Sequence, residues 1–337
     1  MRLVMTLLAR NEADIVDAQL AFHLHAGVDF VIATDNRSDD GTTEILERYA
    51  RAGYLHLLRE DGDDMRQSEW VTRMARLAAT EFGADWVINA DADEFWWPRG
   101  GTLAEVLALV PPRFGVVRGC WRHFLARPAG HPFFAERMTT RLCSPAFPGD
   151  KRTIHHAHQK VAHRAHPEVV VDAGNHDVSG GGLEPLRFWH PIEVLHFSIR
   201  SVAQVARKAK GGWLKSPTEE PVEHHLRLER AAREGRFDDF FEAHVLPDEE
   251  VERGLAEGTL ATDTRVRDVL RGLRRAEDGF PLPTGEVLAF QSPDAEDAAA
   301  YAAEVSVLVS VDGIVRAEQR VAALENRVAV LRTLLPR

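Results

Sequence analysis

The sequence contains few cysteines and no long apolar run. Its two cysteines, Cys120 and Cys143, provide neither a disulfide framework nor a CxxC metal pair, which is typical of a reducing compartment. No segment reaches the roughly 18 consecutive apolar residues that span a bilayer. Residues 3–9 are too short a run for a signal peptide, because Arg10, Asn11 and Glu12 interrupt them at once and no cleavage site follows. The sequence therefore predicts a soluble, cytoplasmic protein with a buried strand at residues 3–9.

Basic residues are outnumbered by acidic ones. The chain has 41 Lys and Arg against 52 Asp and Glu, which gives a formal net charge of -11. The attraction to phosphate backbones that drives nonspecific nucleic-acid binding is therefore missing, and we do not expect nucleic acid as a partner. With 45% hydrophobic residues over 337 positions, the chain is apolar enough to fold as a main domain with appendages.

The first hundred residues alternate short apolar runs with helical periodicity. Strands are predicted at residues 3–9, 30–34, 55–58 and 86–89, and helices at 13–26, 43–52 and 68–82. This alternation is typical of an α/β fold, in which a mostly parallel, Rossmann-like sheet is flanked by helices. Farther on, strands are predicted at 115–121, 169–171 and 192–197, and a helix at 201–210.

An acidic segment follows the fourth predicted strand directly. Asp91, Ala92, Asp93 and Glu94 are bracketed by apolar residues 86–88 and by three aromatic residues, 95–97. Two carboxylates separated by one residue can face the same divalent cation, which takes oxygen ligands and keeps positions open for phosphate oxygens. The alternative, a solvated acidic turn, does not explain the apolar bracket. We therefore interpret the segment as a metal site at the carboxyl end of a strand, where open α/β sheets bind ligands.

A second polar turn, DNRSDDGT at residues 35–42, follows the second predicted strand. Asp, Ser and Thr cap helices and Gly relaxes turns, so a helix-capping role is the alternative to ligand binding, and both can hold. With Arg10, Asn11 and Glu12, this turn places polar groups at the ends of two adjacent strands, where a nucleobase and a ribose could be held.

These motifs together resemble a known family. The runs ARNE at 9–12, DNRSDDGT at 35–42 and DADEF at 91–95, in this order, resemble the family-2-like glycosyltransferases with a GT-A fold, and most closely the bacterial branch with a DxDEF motif. The resemblance extends over about residues 1–210. It implies transfer of a sugar from a nucleotide diphosphate donor with the help of Mn2+ or Mg2+. The acceptor would be a small molecule, a glycan or a lipid-linked glycan, and a lipid-linked acceptor would bring the protein to the periphery of a membrane.

The resemblance also implies roles for individual residues. Asp91 is expected near the ribose or the metal, Asp93 is the main metal ligand, and His196 is our choice for a third ligand. Arg200 and Lys208 are expected to neutralise the diphosphate, although an ordinary amphipathic helix explains them equally well. The full set of expected donor contacts is Arg10, Asn11, Glu12, Asp35, Arg37, Asp91, Ala92, Arg200 and Lys208.

The acceptor side is less well defined. The residues assigned to it are Glu94, Trp96, Lys160 and His176. The histidines between residues 155 and 166 fit no standard metal spacing, and we interpret them as a loop on the acceptor side. No counterpart of the acidic pair that supplies the catalytic base is evident, although we favour an inverting reaction. The candidates for the base are Asp172, Asp177, Glu184 and Glu193.

We divide the chain into four predicted parts, the first two from the resemblance and the last two from composition and periodicity. Residues 1–115 are expected to bind the nucleotide sugar, and residues 116–215 the acceptor and metal. Residues 216–292 form a variable, mainly helical region, and residues 293–337 a C-terminal helix. That helix predicts either a short coiled coil, which would join two copies in a homodimer, or packing against the main domain. Its heptad positions are Ile314, Val321, Val328 and Leu335, with Ala317, Leu324 and Leu331.

Three alternatives are weaker. A phosphotransferase of the haloacid-dehalogenase type has its DxD motif on the first strand, whereas here it follows the fourth. A nucleotidyltransferase would have a glycine-rich phosphate loop near the amino terminus, which this sequence lacks. A catalytically silent scaffold that binds sugar nucleotides shares the same motifs and is separated only by a test of turnover.

Overall fold

A computed structural model of the chain describes residues 1–62, 66–128, 130–144, 155, 158–187, 189–210, 223–274 and 279–283, together with residues 317, 320–321, 323–325 and 327–328. Within these ranges, none of the helices is both long and apolar enough to cross a membrane.

The first part of the chain folds as repeated β-α units. Its elements are β1 (Leu3–Ala9), α1 (Val16–His25), β2 (Phe30–Asp35), α2 (Thr42–Arg51), β3 (Leu55–Arg59), α3 (Gln67–Thr80) and β4 (Trp86–Asp91). Every predicted strand and helix of this part is present, with ends moved by a few residues. Helix α1 begins later than predicted because the amides of Ile15 and Val16 both donate to the carbonyl of Glu12, at 3.0 and 2.8 Å, and form a turn first.

The middle of the chain completes the sheet. Its elements are β5 (Glu94–Pro98), α4 (Leu103–Ala108), β6 (Val116–His123), α5 (Phe134–Arg137), β7 (Thr140–Leu142), β8 (Gln159–Arg164), β9 (Val170–Val171), a 3-10 turn (Ala173–Asn175), β10 (Val178–Ser179) and β11 (Ile192–His196). The eight strands of the main sheet lie in the order β3-β2-β1-β4-β8-β6-β11-β5. Only β8 and β5 run antiparallel to their neighbours in this sheet. The predicted fold class, a mostly parallel Rossmann-like sheet of the GT-A kind, is confirmed.

The interpretation of the histidine-rich residues as a loop is wrong for β8. Residues 159–164 form a central strand that pairs with β4 on one side and β6 on the other. This strand is hard to recognise in the sequence, because Lys160 and His163 are polar although they are buried. The aromatic residues after the acidic segment are likewise a strand, β5, at the edge of the sheet beside β11. His156 lies outside the described residues.

Helices cover both faces of the sheet, and the alternation of side chains along β1 shows how. Leu3, Met5 and Leu7 belong to a core cluster shared with α1 and α4, whereas Val4 belongs to a second cluster with Val71 of α3. Successive residues of a strand point to opposite faces, so one short apolar run serves both cores.

The described part of the C-terminal region is mainly helical. It contains α6 (Val202–Lys210), α7 (Glu223–Glu234), α8 (Phe237–Glu242), α9 (Asp248–Glu257), β12 (Leu260–Thr262) and α10 (Arg265–Leu273). Strand β12 pairs with β7, which ties this region to the main domain. Most of the predicted C-terminal helix, including Ile314, Leu331 and Leu335, lies outside the described residues. The residues between 317 and 328 that the structure describes are helical.

Candidate functional site

Three strand ends meet at one edge of the sheet. In the register of the strands, Ala9 of β1 lies beside Asp35 of β2, and Leu8 of β1 lies beside Asp91 of β4. The segments that follow these strands are therefore neighbours, as expected for the carboxyl ends of parallel strands. The structure thus brings together all three sequence motifs.

The turn after β2 is braced by its own polar side chains. Asp35 accepts hydrogen bonds from the Ser38 amide at 3.1 Å and from the Thr43 hydroxyl at 2.5 Å. Asn11, whose φ of 58° is left-handed, accepts from the Asp39 amide at 2.8 Å. Asp35 therefore braces the turn itself, whereas α2 begins after Gly41 without a side-chain cap hydrogen bond, and Asn11 locks the turn to the end of β1.

Arg10 and Arg37 extend this braced turn. Arg10 donates to Asn36 at 3.0 Å, and Asn36 in turn donates to the carbonyls of Glu60 and Gly62 after β3. Arg37 is exposed, also with a left-handed φ, of 56°. The turn is therefore held rigidly between the segments after β1 and β3, while Arg37 faces outward.

Arg200 is a buried link between two distant segments. It follows β11 and is only 1% exposed. Its guanidinium donates to Glu12, to Asp14 at 2.8 Å and to the Phe197 carbonyl at 3.1 Å. Two carboxylates from the segment after β1 are thus joined to the segment after β11.

The first and last residues of the acidic segment, Asp91 and Glu94, belong to a tightly bonded group that we call the Lys160 cluster: Lys160, Asp91, Glu94, Trp121 and Asn175. The Lys160 ammonium on β8 lies 2.5 Å from Asp91 and 3.0 Å from Glu94. The Trp121 indole donates to Glu94 at 2.8 Å, and the Asn175 amide to Asp91 at 3.0 Å. Burial raises the pKa of Glu94 to about 8, and the nearby carboxylates of Asp91 and Asp93 add to the rise while Lys160 opposes it.

Asp93, which lies between them in the sequence, belongs to a looser group, the Asp93 centre: Asp93, His196, Arg200 and Lys208. The Asp93 carboxylate lies 3.6 Å from Lys208, 3.7 Å from His196 and 3.9 Å from Arg200. Burial opposes ionisation, but the charge of Lys208 and the contacts with His196 and Arg200 hold the pKa of Asp93 well below its ordinary value. Burial lowers the pKa of His196, although Asp93 opposes the shift. The centre therefore combines an ionised carboxylate with a neutral imidazole.

These protonation states decide how far the residues fit a divalent cation. Anionic carboxylates and neutral imidazoles are ligands for such a cation, and Asp93 and His196 lie side by side in these two states. Asp91, the other expected ligand, is engaged by Lys160 and Asn175 instead. Among the described residues, no three His, Cys, Asp or Glu side chains are arranged to hold a metal. Of the described residues, Asp93 and His196 are therefore the two that fit the chemistry of a divalent cation.

Aromatic rings surround His196. Trp121 stacks on it with ring centroids 4.3 Å apart, and the Nδ1 atom of His123 lies 3.3 Å from its own Nδ1. His176 stacks on His158 at 3.4 Å, and its Nδ1 donates to the Gln159 carbonyl at 2.8 Å. Neither His123 nor Asn175 is among the site residues predicted from the sequence. His123 is two residues after Trp121 on β6, so strand periodicity would have placed it on the same face.

Of the residues assigned to the acceptor side, Glu94 and Lys160 are buried in the Lys160 cluster, and Trp96 is fully buried in the core. His176 is half-buried. Ala92, expected to contact the donor, is 2% exposed and packs in the core.

The four candidate bases lie in different places. Glu193 is on the opposite face of β11 from His196, with hydrogen bonds from Arg122 and Arg265. The Glu184 carbonyl accepts from the amide of Gly115 just before β6, at the far end of the sheet from Asp91. The structure therefore separates these two residues from the acidic segment.

Asp172 and Asp177 flank the turn that contains Asn175, which contacts Asp91. Asp177 accepts two hydrogen bonds from Arg118, at 3.1 and 2.9 Å, whereas Asp172 is exposed. Of the four candidates, these two lie on either side of the turn that contacts the acidic segment through Asn175.

Comparisons with known proteins give partial similarities. No protein-family model matches the chain, and no curated protein matches it. Among solved structures, S. aureus TarS in complex with UDP is 12% identical, with a TM-score of 0.32, over 87% of this chain and 100% of that one. Glucosyl-3-phosphoglycerate synthase from Mycobacterium tuberculosis, in complex with Mn2+, UDP and glucosyl-3-phosphoglycerate, is 20% identical, with a TM-score of 0.24, over 37% of this chain and 44% of that one.

A structure described as a mycobacterial protein is 20% identical, with a TM-score of 0.26, over 36% of this chain and 41% of that one. The chain thus spans less than half the length of both mycobacterial proteins. The ligands named in these descriptions are bound by those proteins.

Proposed function

We propose that this chain is a glycosyltransferase of the family-2-like branch, which transfers a sugar from a nucleotide diphosphate donor to an acceptor. The observation that carries the proposal is the Asp93 centre, an ionised carboxylate with Lys208, His196 and Arg200 within 3.9 Å. It lies at the carboxyl edge of the sheet, where α/β folds bind ligands, beside a braced polar turn suited to a nucleoside. A diphosphate, which is an anion and also a good ligand for divalent cations, matches this mixture of charges.

The basic residues of the centre have different tasks in this proposal. Breaking the bond between a sugar carbon and a diphosphate builds negative charge on the departing oxygen, which nearby positive charge stabilises. Lys208 is 24% exposed and ends in a mobile point charge, so we assign it to the diphosphate. Arg200 is saturated by Glu12 and Asp14, and we assign it to orient the site and to supply fixed positive charge.

Asp93 and His196 are the residues that would hold a divalent cation, Mn2+ or Mg2+. When bound, such a cation supplies Lewis-acid stabilisation of the charge on the leaving group. On the nucleoside side, we assign Arg10, Arg37 and Glu12 to the donor, while Asn11 and Asp35 shape the turn that presents them.

We assign the proton acceptor to the turn around Asn175. Asp172 is preferred over Asp177, because Arg118 already engages Asp177. A carboxylate that removes the acceptor proton from the side opposite the leaving group gives inversion. Asp172→Asn should lower turnover by about 100-fold or more and leave donor binding unchanged. Glu184→Gln is the matched control, and equal turnover of the two variants would contradict the assignment.

The test of the whole proposal is a thermal-shift screen of nucleoside diphosphates and their sugars with Mn2+ or Mg2+, followed by measurement of nucleotide release. We expect one sugar nucleotide to stabilise the protein and to be turned over. If a sugar nucleotide stabilised the protein but was not turned over with any acceptor, the result would favour the silent sugar-nucleotide-binding scaffold. Release of inorganic phosphate in place of a nucleoside diphosphate would favour a phosphotransferase.

A further inference from the structure

An apolar stripe on the C-terminal helix faces solvent. Val321, Leu324 and Val328 are helical, and their exposed fractions are 54%, 59% and 46%. They are three, four and seven residues apart, so they lie on one face of the helix. Large apolar side chains lined up in this way mark an interaction surface more often than single exposed residues do. Their exposure shows that these three side chains do not pack back on the main domain.

We propose that this stripe packs against the same stripe of a second copy of the chain, as a parallel two-stranded coiled coil. In the heptad pattern, Val321 and Val328 occupy position a, and Leu324 occupies position d. Branched Val or Ile at position a with Leu at position d favours two parallel strands over higher oligomers.

The charges beside the stripe determine the orientation. Arg320 and Arg327 occupy position g, and Glu325 occupies position e. In a parallel pair, each g residue faces the e residue of the next heptad across the interface, so Arg320 faces Glu325 of the partner subunit. In an antiparallel pair, g faces g and e faces e, which would place Arg320 against an arginine and Glu325 against a glutamate. Arg320 and Glu325 therefore attract each other across the interface in the parallel arrangement.

A stripe of this length is marginal as an isolated helix, so pairing is what would stabilise it. The interaction is separate from the Asp93 centre, and it does not depend on the proposed activity. Its partner is identified by chemistry alone: a second helix with the same heptads and complementary charges at positions e and g.

The experiment is sedimentation and light scattering of the full chain over a range of concentrations. We expect the wild type to dimerise, and Leu324→Asp to raise the dissociation constant of the dimer by about a hundredfold or more, because two buried leucines are lost. Leu255→Asp is the matched control, since Leu255 is a 38% exposed leucine on α9, outside the stripe. A wild type that stays monomeric throughout, or an equal effect of the control, would overturn the proposal.

Charge reversal tests the orientation. Arg320→Glu should raise the dissociation constant about tenfold, because it turns two attractive pairs into repulsive ones, and Glu325→Arg should do the same. The double variant should return to the wild-type value. An antiparallel pair predicts no weakening by Arg320→Glu, because both copies carry the substitution and a like-charge pair at position g is then replaced by another like-charge pair or by an attractive one. Unchanged or tighter dimerisation of Arg320→Glu would therefore contradict the parallel arrangement.

Discussion

The Lys160 cluster and the Asp93 centre share one acidic segment and differ in how closely their charges are held. In the Lys160 cluster, Asp91 and Glu94 make contacts of 2.5 to 3.1 Å with an ammonium, an indole, an amide side chain and a backbone amide. In the Asp93 centre, the basic groups stay 3.6 to 3.9 Å from the carboxylate, beyond hydrogen-bond length.

Because of this difference, we assign a structural role to Asp91 and a functional role to Asp93, which is two residues later in the sequence. Buried charges at hydrogen-bond length satisfy one another and are strongly coupled to the fold. A buried carboxylate that is ionised but loosely held has capacity left for a ligand. We therefore expect substitutions in the Lys160 cluster to act first on stability, and substitutions in the Asp93 centre to act first on turnover.

The largest expected effect is on Lys160. Lys160→Met keeps much of the side-chain volume and removes the ammonium that contacts Asp91 and Glu94, which leaves the Asp91 carboxylate without its charged partner. Loss of one partner of a buried pair costs about 3 to 5 kcal/mol of the free energy of unfolding. Urea unfolding measures the change.

Lys208→Met is the matched control for this prediction. Lys208 is 24% exposed and 3.6 Å from Asp93, so its loss should cost about 1 kcal/mol or less of the free energy of unfolding. Donor turnover should nevertheless fall. If the two methionine variants were equally stable, the distinction between the cluster and the centre would fail.

A smaller effect is expected at Trp121. Trp121→Phe keeps a ring against His196 and removes the hydrogen bond to Glu94. An unsatisfied buried acceptor costs about 1 to 3 kcal/mol of the free energy of unfolding. Trp96→Phe makes the same change in a buried indole whose Nε1 has no hydrogen-bond partner among the described residues. Urea unfolding measures the free energy of unfolding of both variants. If Trp96→Phe were the less stable of the two, the hydrogen bond from Trp121 to Glu94 would not have the stabilising role that we assign to it.

The sequence predicts the first part of the fold well because its signals are local. The apolar runs of β1 to β4 and the helical periodicity between them are readable without knowledge of distant contacts. The position of Asp93 follows from the same local pattern, since a strand leads directly into it. The GT-A-like fold class could be predicted for this reason.

The parts that could not be predicted depend on long-range pairing. Strand β8 contains Lys160 and His163, whose polarity hides a strand that is buried only because β4 and β6 flank it. Glu184 and Asp172 are equivalent as acidic residues in the sequence, and only the register of the sheet shows that they lie at different ends. The pairing of Asp91 with Lys160 joins residues 69 positions apart.

The most direct test of the Asp93 centre compares Asp93→Asn with Asp91→Asn in a titration of manganese against donor turnover. Both variants remove one carboxylate charge and keep the shape of the side chain. We predict that Asp93→Asn stays folded and loses about 3 to 4 kcal/mol of transition-state stabilisation, which is about a hundred- to a thousandfold in turnover. Asp91→Asn should be less stable, yet the folded fraction should need the same manganese concentration as the wild type. Normal turnover of Asp93→Asn, or a changed manganese requirement in Asp91→Asn alone, would contradict the account.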